Sequence, residues 1–282
     1  MNKKRFELNI HLRRIVAYIV LVFVSAMCLI WVYTLFINAT RASSEMRGIT
    51  LIPSKYFFYN LKNVLTSSLP VASSLINSLL VSSVCAIGCT YFAALCAYGF
   101  NIYDFPFKNA ILTFLLMIMM VPTQVSTLGY IKLAYKMGLD DSLLSIILPR
   151  MAVPVTFYYI YQYMKVDISK AYIEAARMDG AKELSIFHRI IFPMLKPALV
   201  VQFIFEFVNS WNSYFVPALM LHSDKKRTLP IVISLLRSVA YKDHDDGMIY
   251  MMIAIAILPV TFVYIILSRQ IVQGITTGGV KG

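Results

Sequence analysis

The stretch from Ile15 to Ile37, IVAYIVLVFVSAMCLIWVYTLFI, decides which solvent this chain is built for. It is 23 residues long and carries no charge. A helix of about 20 such residues spans the hydrocarbon core of a bilayer. The apolar run of a secretory signal stops at about 7–15 residues, so this one reads as a retained first span. Five further stretches meet the same requirement, at 71–100, 109–131, 143–163, 197–221 and 248–268. Their apolar residues run on without strict alternation, which excludes a membrane β-barrel. The expected fold is an all-α membrane protein with six transmembrane helices.

Composition agrees. Of 282 residues, 59% are hydrophobic and 14% charged, and the mean hydropathy is +0.70, values that exclude a soluble globule and a disordered chain. The four cysteines, Cys28, Cys85, Cys89 and Cys96, lie in apolar stretches and read as small packing residues, not as a disulfide framework. Cys85 and Cys89 are one helical turn apart, but no His or carboxylate lies near them in sequence, so no metal site is expected. A net charge of +12 fits loops that face anionic lipid and set topology, and no nucleic-acid partner is expected.

Orientation follows from Lys3, Lys4, Arg5, Arg13 and Arg14, a cationic segment (1–14) that the positive-inside rule keeps in the cytoplasm. Six spans then return the C-terminus to the same side. By this topology the inside segments hold 14 Lys and Arg and the outside segments 11, with Arg150 the remaining one of the 26. Prolines punctuate the spans at Pro122, Pro149, Pro154, Pro217 and Pro259. They suit kinked helices around a path, and equally the ordinary kinks of a packed bundle.

The inside loop 164–196 is too long and too charged to be only a connector. Ile168, Ala171, Tyr172 and Ala175 form an apolar stripe at helical spacing, Gly180 can turn the chain, and KELSIFHRIIF makes a second helical stretch up to Pro193. Glu174, Ala175, Ala176, Gly180, Ile190 and Pro193 spell E-A-A, three residues, G, nine residues, I, two residues, P. That pattern resembles the EAA loop of ABC importer permeases, with Phe192 where the family usually has Leu. The resemblance runs on from about residue 50 to the end: N-S-L at Asn77, A-Y at Ala97, V-P at Val121, D-G-A at Asp179 to Ala181, Phe187, W-N at Trp211, T-L-P at Thr228, Leu229 and Pro230, and the terminal G-G-V-K-G. Together these look like the maltose-type carbohydrate permeases of binding-protein-dependent systems.

That resemblance implies a MetI-like permease bundle in the cytoplasmic membrane of a bacterium or archaeon. It implies four kinds of partner: a second homologous permease, two ATP-binding subunits that dock on the EAA loops, an extracytoplasmic solute-binding protein, and a carbohydrate substrate, with lipid around the spans. Under it Glu174, Ala175, Ala176, Asp179, Gly180, Ala181, Phe187, Ile190 and Pro193 couple the chain to the ATPase. For Glu174 alone, a charge pair with Lys170 or Arg177 on its own helix is the other account. No Gly is followed by Lys, so there is no Walker A sequence; the chain is expected to be no enzyme and to hold no cofactor, ATP and Mg belonging to the ATPase.

On the outer side, Thr228, Leu229 and Pro230 precede an apolar helix-like run, and Asp243, His244, Asp245 and Asp246 form an acidic turn. The resemblance places a binding-protein contact there, and a solvated loop or a cation site is the alternative for the acidic turn. In the fifth span Gln202, Glu206, Asn209, Ser210 and Ser213 recur at i, i+4, i+7, i+8 and i+11, one face of an otherwise apolar helix. Such groups suit a translocation path for a sugar. Glu206 alternatively pairs with Arg150 of the fourth span, which is itself a candidate for the path. Trp211, about 140° round from Glu206, should point into packing. A self-contained secondary transporter or channel is the competing function, disfavoured by the lack of repeated halves and the few intramembrane charges.

Overall fold

The computed structural model describes residues 2–46, 48, 50–238 and 245–278, and among these every regular element is helical. The chain divides into two compact units.

The first unit takes in Met1–Ser67 and Leu236–Ile255. Helix α1 runs over Asn2–Ala39, so it begins well before residue 15, where the apolar run starts. From residue 11 to Tyr33 its residues are exposed all round, as suits a span that meets lipid or another chain. A short helix, α2 (Phe57–Thr66), follows. Buried Asn60 on α2 donates through Nδ2 to the carbonyls of Ala39 (2.9 Å) and Arg41 (2.8 Å), so the chain leaving α1 is held by a side chain instead of a ladder.

The second unit takes in Ser68–Leu235 and Ala256–Gly282. Its centre is α3 (Val71–Ile102), which packs along α7 (Pro154–Asp167) and α11 (Lys196–Trp211). Small residues explain the packing. Ser74, Ser78, Ser82, Cys85, Cys89, Ala93 and Ala97 are buried at helical spacing, while Ile76, Leu80, Ile87 and Phe92 on the other face are exposed. A lipid tail is as apolar as leucine, so close approach of small faces, not burial of large ones, brings such helices together.

Among the described residues four helices are long and apolar enough to cross a membrane: His11–Ala39, Val71–Ile102, Leu144–Asp167 and Asp246–Ser268. The expected third span, punctuated by Pro122, is broken into α4 (Lys108–Ile118) and α5 (Thr123–Lys136), bent by 102° at that proline. The fourth begins as α6 (Leu144–Ile147), passes through a 3-10 turn at Leu148–Met151 and resumes as α7 after Val153. The expected fifth span ends early: α11 stops at Trp211, and a short α12 (Phe215–Met220) follows. At its other end α11 is bent by 78° from Glu183–Met194. If each bent pair is one span, the number rises to six. The last helix, Asp246–Gly278, carries Pro259 without a break.

Candidate functional site

Three helix interruptions, at 119–122, 148–153 and 212–214, border one cavity of about 550 Å³. Irregular backbone at membrane depth frees carbonyls and amides, and it persists where it lines a wet cavity or is covered by protein. Pro149, Pro154 and Pro217, three of the five prolines noted in the sequence, lie on the wall, and Pro122 ends the first interruption. The first break contributes Thr123, Ser126 and Thr127, the second Arg150, and the third Asn209, Ser210 and Ser213, with Ser78 of α3 and Thr228 opposite. Some of these groups are already engaged: Thr127 Oγ1 donates to the Thr123 carbonyl, Tyr130 Oη to the Ser145 carbonyl, and Ser78 Oγ accepts from Leu229 N at 2.8 Å. Thr228 Oγ1 is itself buried, with no hydrogen-bond partner among the described residues.

The polar stripe of α11 splits in two. Asn209, Ser210 and Ser213 border the cavity, but Gln202 and Glu206 do not; both are buried where α11 packs along α3. Gln202 and Glu206, read from their spacing as path groups, thus do not line this cavity. Glu206, 2% exposed, sits behind the wall and accepts from Arg150, Nη1 to Oε1 being 3.0 Å. Trp211 is buried and stacks on Phe207 with centroids 5.9 Å apart, so it points into packing.

The loop at 164–196 forms α8 (Ala171–Met178), a turn, α9 (Glu183–Ile186), a π-helical turn at Phe187–Ile191 and α10 (Phe192–Met194). Gly180 adopts φ +75°, and the Ala181 N–H reaches back to the Ala176 carbonyl (3.0 Å) while the Gly180 N–H bonds to that of Arg177 (3.0 Å), a Schellman stop. The buried face of α8 is not the stripe read from sequence. Ile173 and Ala176 are inside, whereas Ala171, Tyr172 and Ala175 are exposed and Met178 is 88% exposed. Apolar residues occur on both sides of α8, and only one side meets the bundle. Phe187 is fully buried, packed with Ile173, Ala176, Ile186 and Ile191 against Ala97 and Tyr98 of α3 and Ile160 of α7. Ala181 and Ile190 pack at the edge of this cluster, and Pro193 is exposed at the bend into α11.

Glu174 and Asp179 are exposed. Arg177 does not pair with Glu174; its Nε donates to Glu183 Oε1 at 2.7 Å, and Tyr98 Oη donates to Glu183 Oε2 at 2.8 Å. Glu174 has no ion pair among the described residues. Glu183, which the sequence reading passed over, thus ties both loop helices to α3.

At the other end of the unit, Asp141 holds the chain after α12. Its carboxylate accepts from the backbone N–H of His222 (2.9 Å) and Ser223 (3.0 Å) and from the Ser223 hydroxyl, and Lys226 pairs with it at 3.2 Å. The Ser223 hydroxyl first, then these backbone N–H groups, hold its pKa well below the usual carboxylate range. Asp141 has φ +50°, a conformation that Asp tolerates better than most residues. Asn77 Nδ2 clamps the same segment through the carbonyls of Lys225 (2.9 Å) and Arg227 (3.0 Å).

Thr228 and Leu229 are buried, so they serve this chain's own packing; Pro230 is half-buried at the start of α13 (Leu229–Leu236). In the first unit, Asp245 Oδ1 accepts from Gly247 N (2.9 Å) and Ser43 Oγ (2.6 Å), which caps the last helix, and Asp246 N donates to Ser43 Oγ (2.8 Å). Asp243 and His244, like the terminal 279–282, lie outside the described residues.

Residues 87–277 match the profile of a family described as "binding-protein-dependent transport system inner membrane component". The chain is 32% identical over 258 residues to the arabinooligosaccharides transport system permease protein AraQ of Bacillus subtilis, covering 89% of this chain and 90% of that one. It is 28% identical to the glucose import system permease protein GlcU of Saccharolobus solfataricus, covering 94% and 95%. With the sn-glycerol-3-phosphate transport system permease protein UgpE of Agrobacterium fabrum it shares 25% identity over 95% and 97%. Among solved structures it resembles a chain of a bacterial ABC transporter involved in the import of the acidic polysaccharide alginate, with TM-score 0.79 at 19% identity, covering 90% and 95%.

Proposed function

We infer the function from a premise that the family match supplies: this chain belongs to the binding-protein-dependent transport system inner membrane components, and it is the permease subunit of an ABC importer that carries a carbohydrate across the cytoplasmic membrane. The observation that carries the reading is the cavity at three helix interruptions. A sugar must shed water on the way through, and the hydroxyls, one amide and one guanidinium set among the apolar residues of the wall offer replacement hydrogen bonds. Arg150, Asn209, Ser210 and Ser213 are the path groups in this reading.

The chain crosses six times, each bent pair counting as one crossing, with segment 1–14 and the C-terminus in the cytoplasm and residues 15–282 forming the membrane domain. Consistent with this, Tyr98 at the end of α3 bonds the inside loop, while Asp141 and segment 222–226, both assigned outside, bond each other. The loop 164–196 receives the ATPase: exposed Glu174, Ala175 and Asp179 face the partner, and Ala176, Gly180, Ala181, Phe187, Ile190 and Pro193 hold them in place. ATP and Mg are bound by that partner. A second homologous permease completes the path, and a solute-binding protein docks outside, where Pro230 and the acidic turn at 243–246 are the candidate contacts.

The test is reconstitution in vesicles. Uptake of a neutral oligosaccharide should require this chain, a second permease, the ATPase with internal ATP, and the binding protein. Solute movement by this chain alone, down its gradient and without ATP, would replace this reading with a self-contained transporter.

A further inference from the structure

Arg150 supplies the charged side chain on the cavity wall, and the group that balances it does not touch the cavity. The Arg150 side chain is 31% exposed and the Glu206 side chain 3%, with Nη1 and Oε1 3.0 Å apart. An unpaired guanidinium at such a depth would give the cavity a strong positive potential, because low-dielectric surroundings screen little. With the carboxylate at hydrogen-bond distance, the far field of the pair is that of a dipole. The guanidinium can still donate to a solute oxygen. The other polar wall groups named above are hydroxyls and one amide, which recognise hydroxyls without regard to charge.

We propose that Glu206, as buried counter-ion to Arg150, keeps the cavity electrically neutral and so fits it to an uncharged polyhydroxylated solute, an acidic sugar requiring the positive field that Glu206 cancels. This rests on the cavity being the path. Glu206 then sets solute class without contacting solute, acting through the residue it neutralises.

The potential can be read without any substrate, which keeps the selectivity of the binding protein out of the result. A single cysteine at Ser213→Cys, in a chain whose four native cysteines are replaced, is treated within the assembled complex with anionic, cationic and neutral methanethiosulfonate reagents of similar size. The anionic-to-cationic rate ratio is divided by that of a free thiol, and the neutral reagent normalises for access. With Glu206 and Arg150 present, the corrected ratio is expected near one. Glu206→Gln, which keeps shape and can still accept from Arg150, should raise it on the order of tenfold or more. Adding Arg150→Gln should return it near one.

A ratio that Glu206→Gln leaves unchanged overturns the proposal, as does strong anion preference with the native pair, a result that does not depend on the variant folding. A cysteine at 213 that reacts with none of the three reagents overturns the path reading and this proposal with it.

Discussion

Tyr98 Oη donates to Glu183 Oε2 at 2.8 Å, a bond between residues 85 positions apart that fastens the loop 164–196 to the central helix α3. The same carboxylate accepts from Arg177, so one side chain joins α3, the end of α8 and the start of α9. Both Arg177 and Glu183 are about two-fifths exposed, and that ion pair alone contributes little. The Tyr98 hydroxyl, at a buried residue, is the more costly partner to lose: Tyr98→Phe should weaken loop attachment by about 1 kcal/mol. Faster amide hydrogen exchange in 179–191, with exchange in the middle of α3 unchanged, is the expected readout. A double-mutant cycle with Glu183→Gln should show the two losses failing to add.

Loop seating should depend still more on Phe187. Fully buried among Tyr91, Tyr98, His188 and Phe192, it fills space that no neighbour can take over. Phe187→Ala should cost about 3–5 kcal/mol. ATP hydrolysis by the complex should then persist while sugar uptake falls more than tenfold. Uptake and hydrolysis falling in parallel would mean that the loop does not couple the two.

The spans were legible because a bilayer demands a long apolar run, and α1 and α3 display one without ambiguity. Their interruptions were half legible. Pro122, Pro149, Pro154 and Pro217 lie at or beside breaks, yet Pro259 carries the same signal inside an unbroken helix. A proline frees one carbonyl; whether the helix then parts depends on what lies beside it, which is a tertiary fact. The same holds for the polar stripe: four of its five residues lie on α11 and Ser213 falls in the break that follows, and which of them α3 covers is set by packing between helices. On α8, Ile173 and Ala176 compete with Tyr172 and Ala175 for the inner side, and nothing local decides between them. Glu183 escaped notice because its partner Tyr98 is distant in sequence.

Gly180 should tolerate few replacements. At φ +75° an L side chain is strained by roughly 1–2 kcal/mol, and a branched one by more. Nothing crowds the Cβ position, so the penalty is conformational and not steric against neighbours. Gly180→Asn should therefore retain most uptake, and Gly180→Leu should lose it while the protein still reaches the membrane. Glu174→Lys, which reverses an exposed and unpaired charge, should abolish co-purification of the ATPase without lowering the melting temperature of the isolated chain.

The Asp141 clamp fixes a pH dependence. Its folded pKa is depressed, so the stabilisation is fully present above the ordinary aspartate value of about 4 and is lost as pH falls through the lower folded value. Proteolysis within 221–228 should be flat from pH 7 to 5 and should rise only under more acidic conditions. Asp141→Asn should raise it at every pH and flatten the acid limb. An unchanged acid limb in Asp141→Asn would assign the transition to another carboxylate.

Gly88 on α3 faces the 3-10 turn that carries Arg150, and a Cβ there would run into the Met151 side chain, 2.7 Å from Cε and closer still to the sulfur. Those atoms are the far end of a flexible thioether and can swing aside. An alanine also gains about 1 kcal/mol of helix propensity over glycine, so Gly88→Ala should leave the melting temperature and uptake near their original values. Leucine is different, because its bulk needs more room than one rotamer change provides; overpacking of this kind costs about 1–3 kcal/mol. The force would fall on the turn, displacing Arg150 from Glu206 and from the cavity wall. Gly88→Leu should accordingly lower both stability and uptake, and Met151→Ala, which empties the space beside it, should restore much of each. If the double variant is as impaired as Gly88→Leu alone, the contact between α3 and this turn is not what holds Arg150 in place.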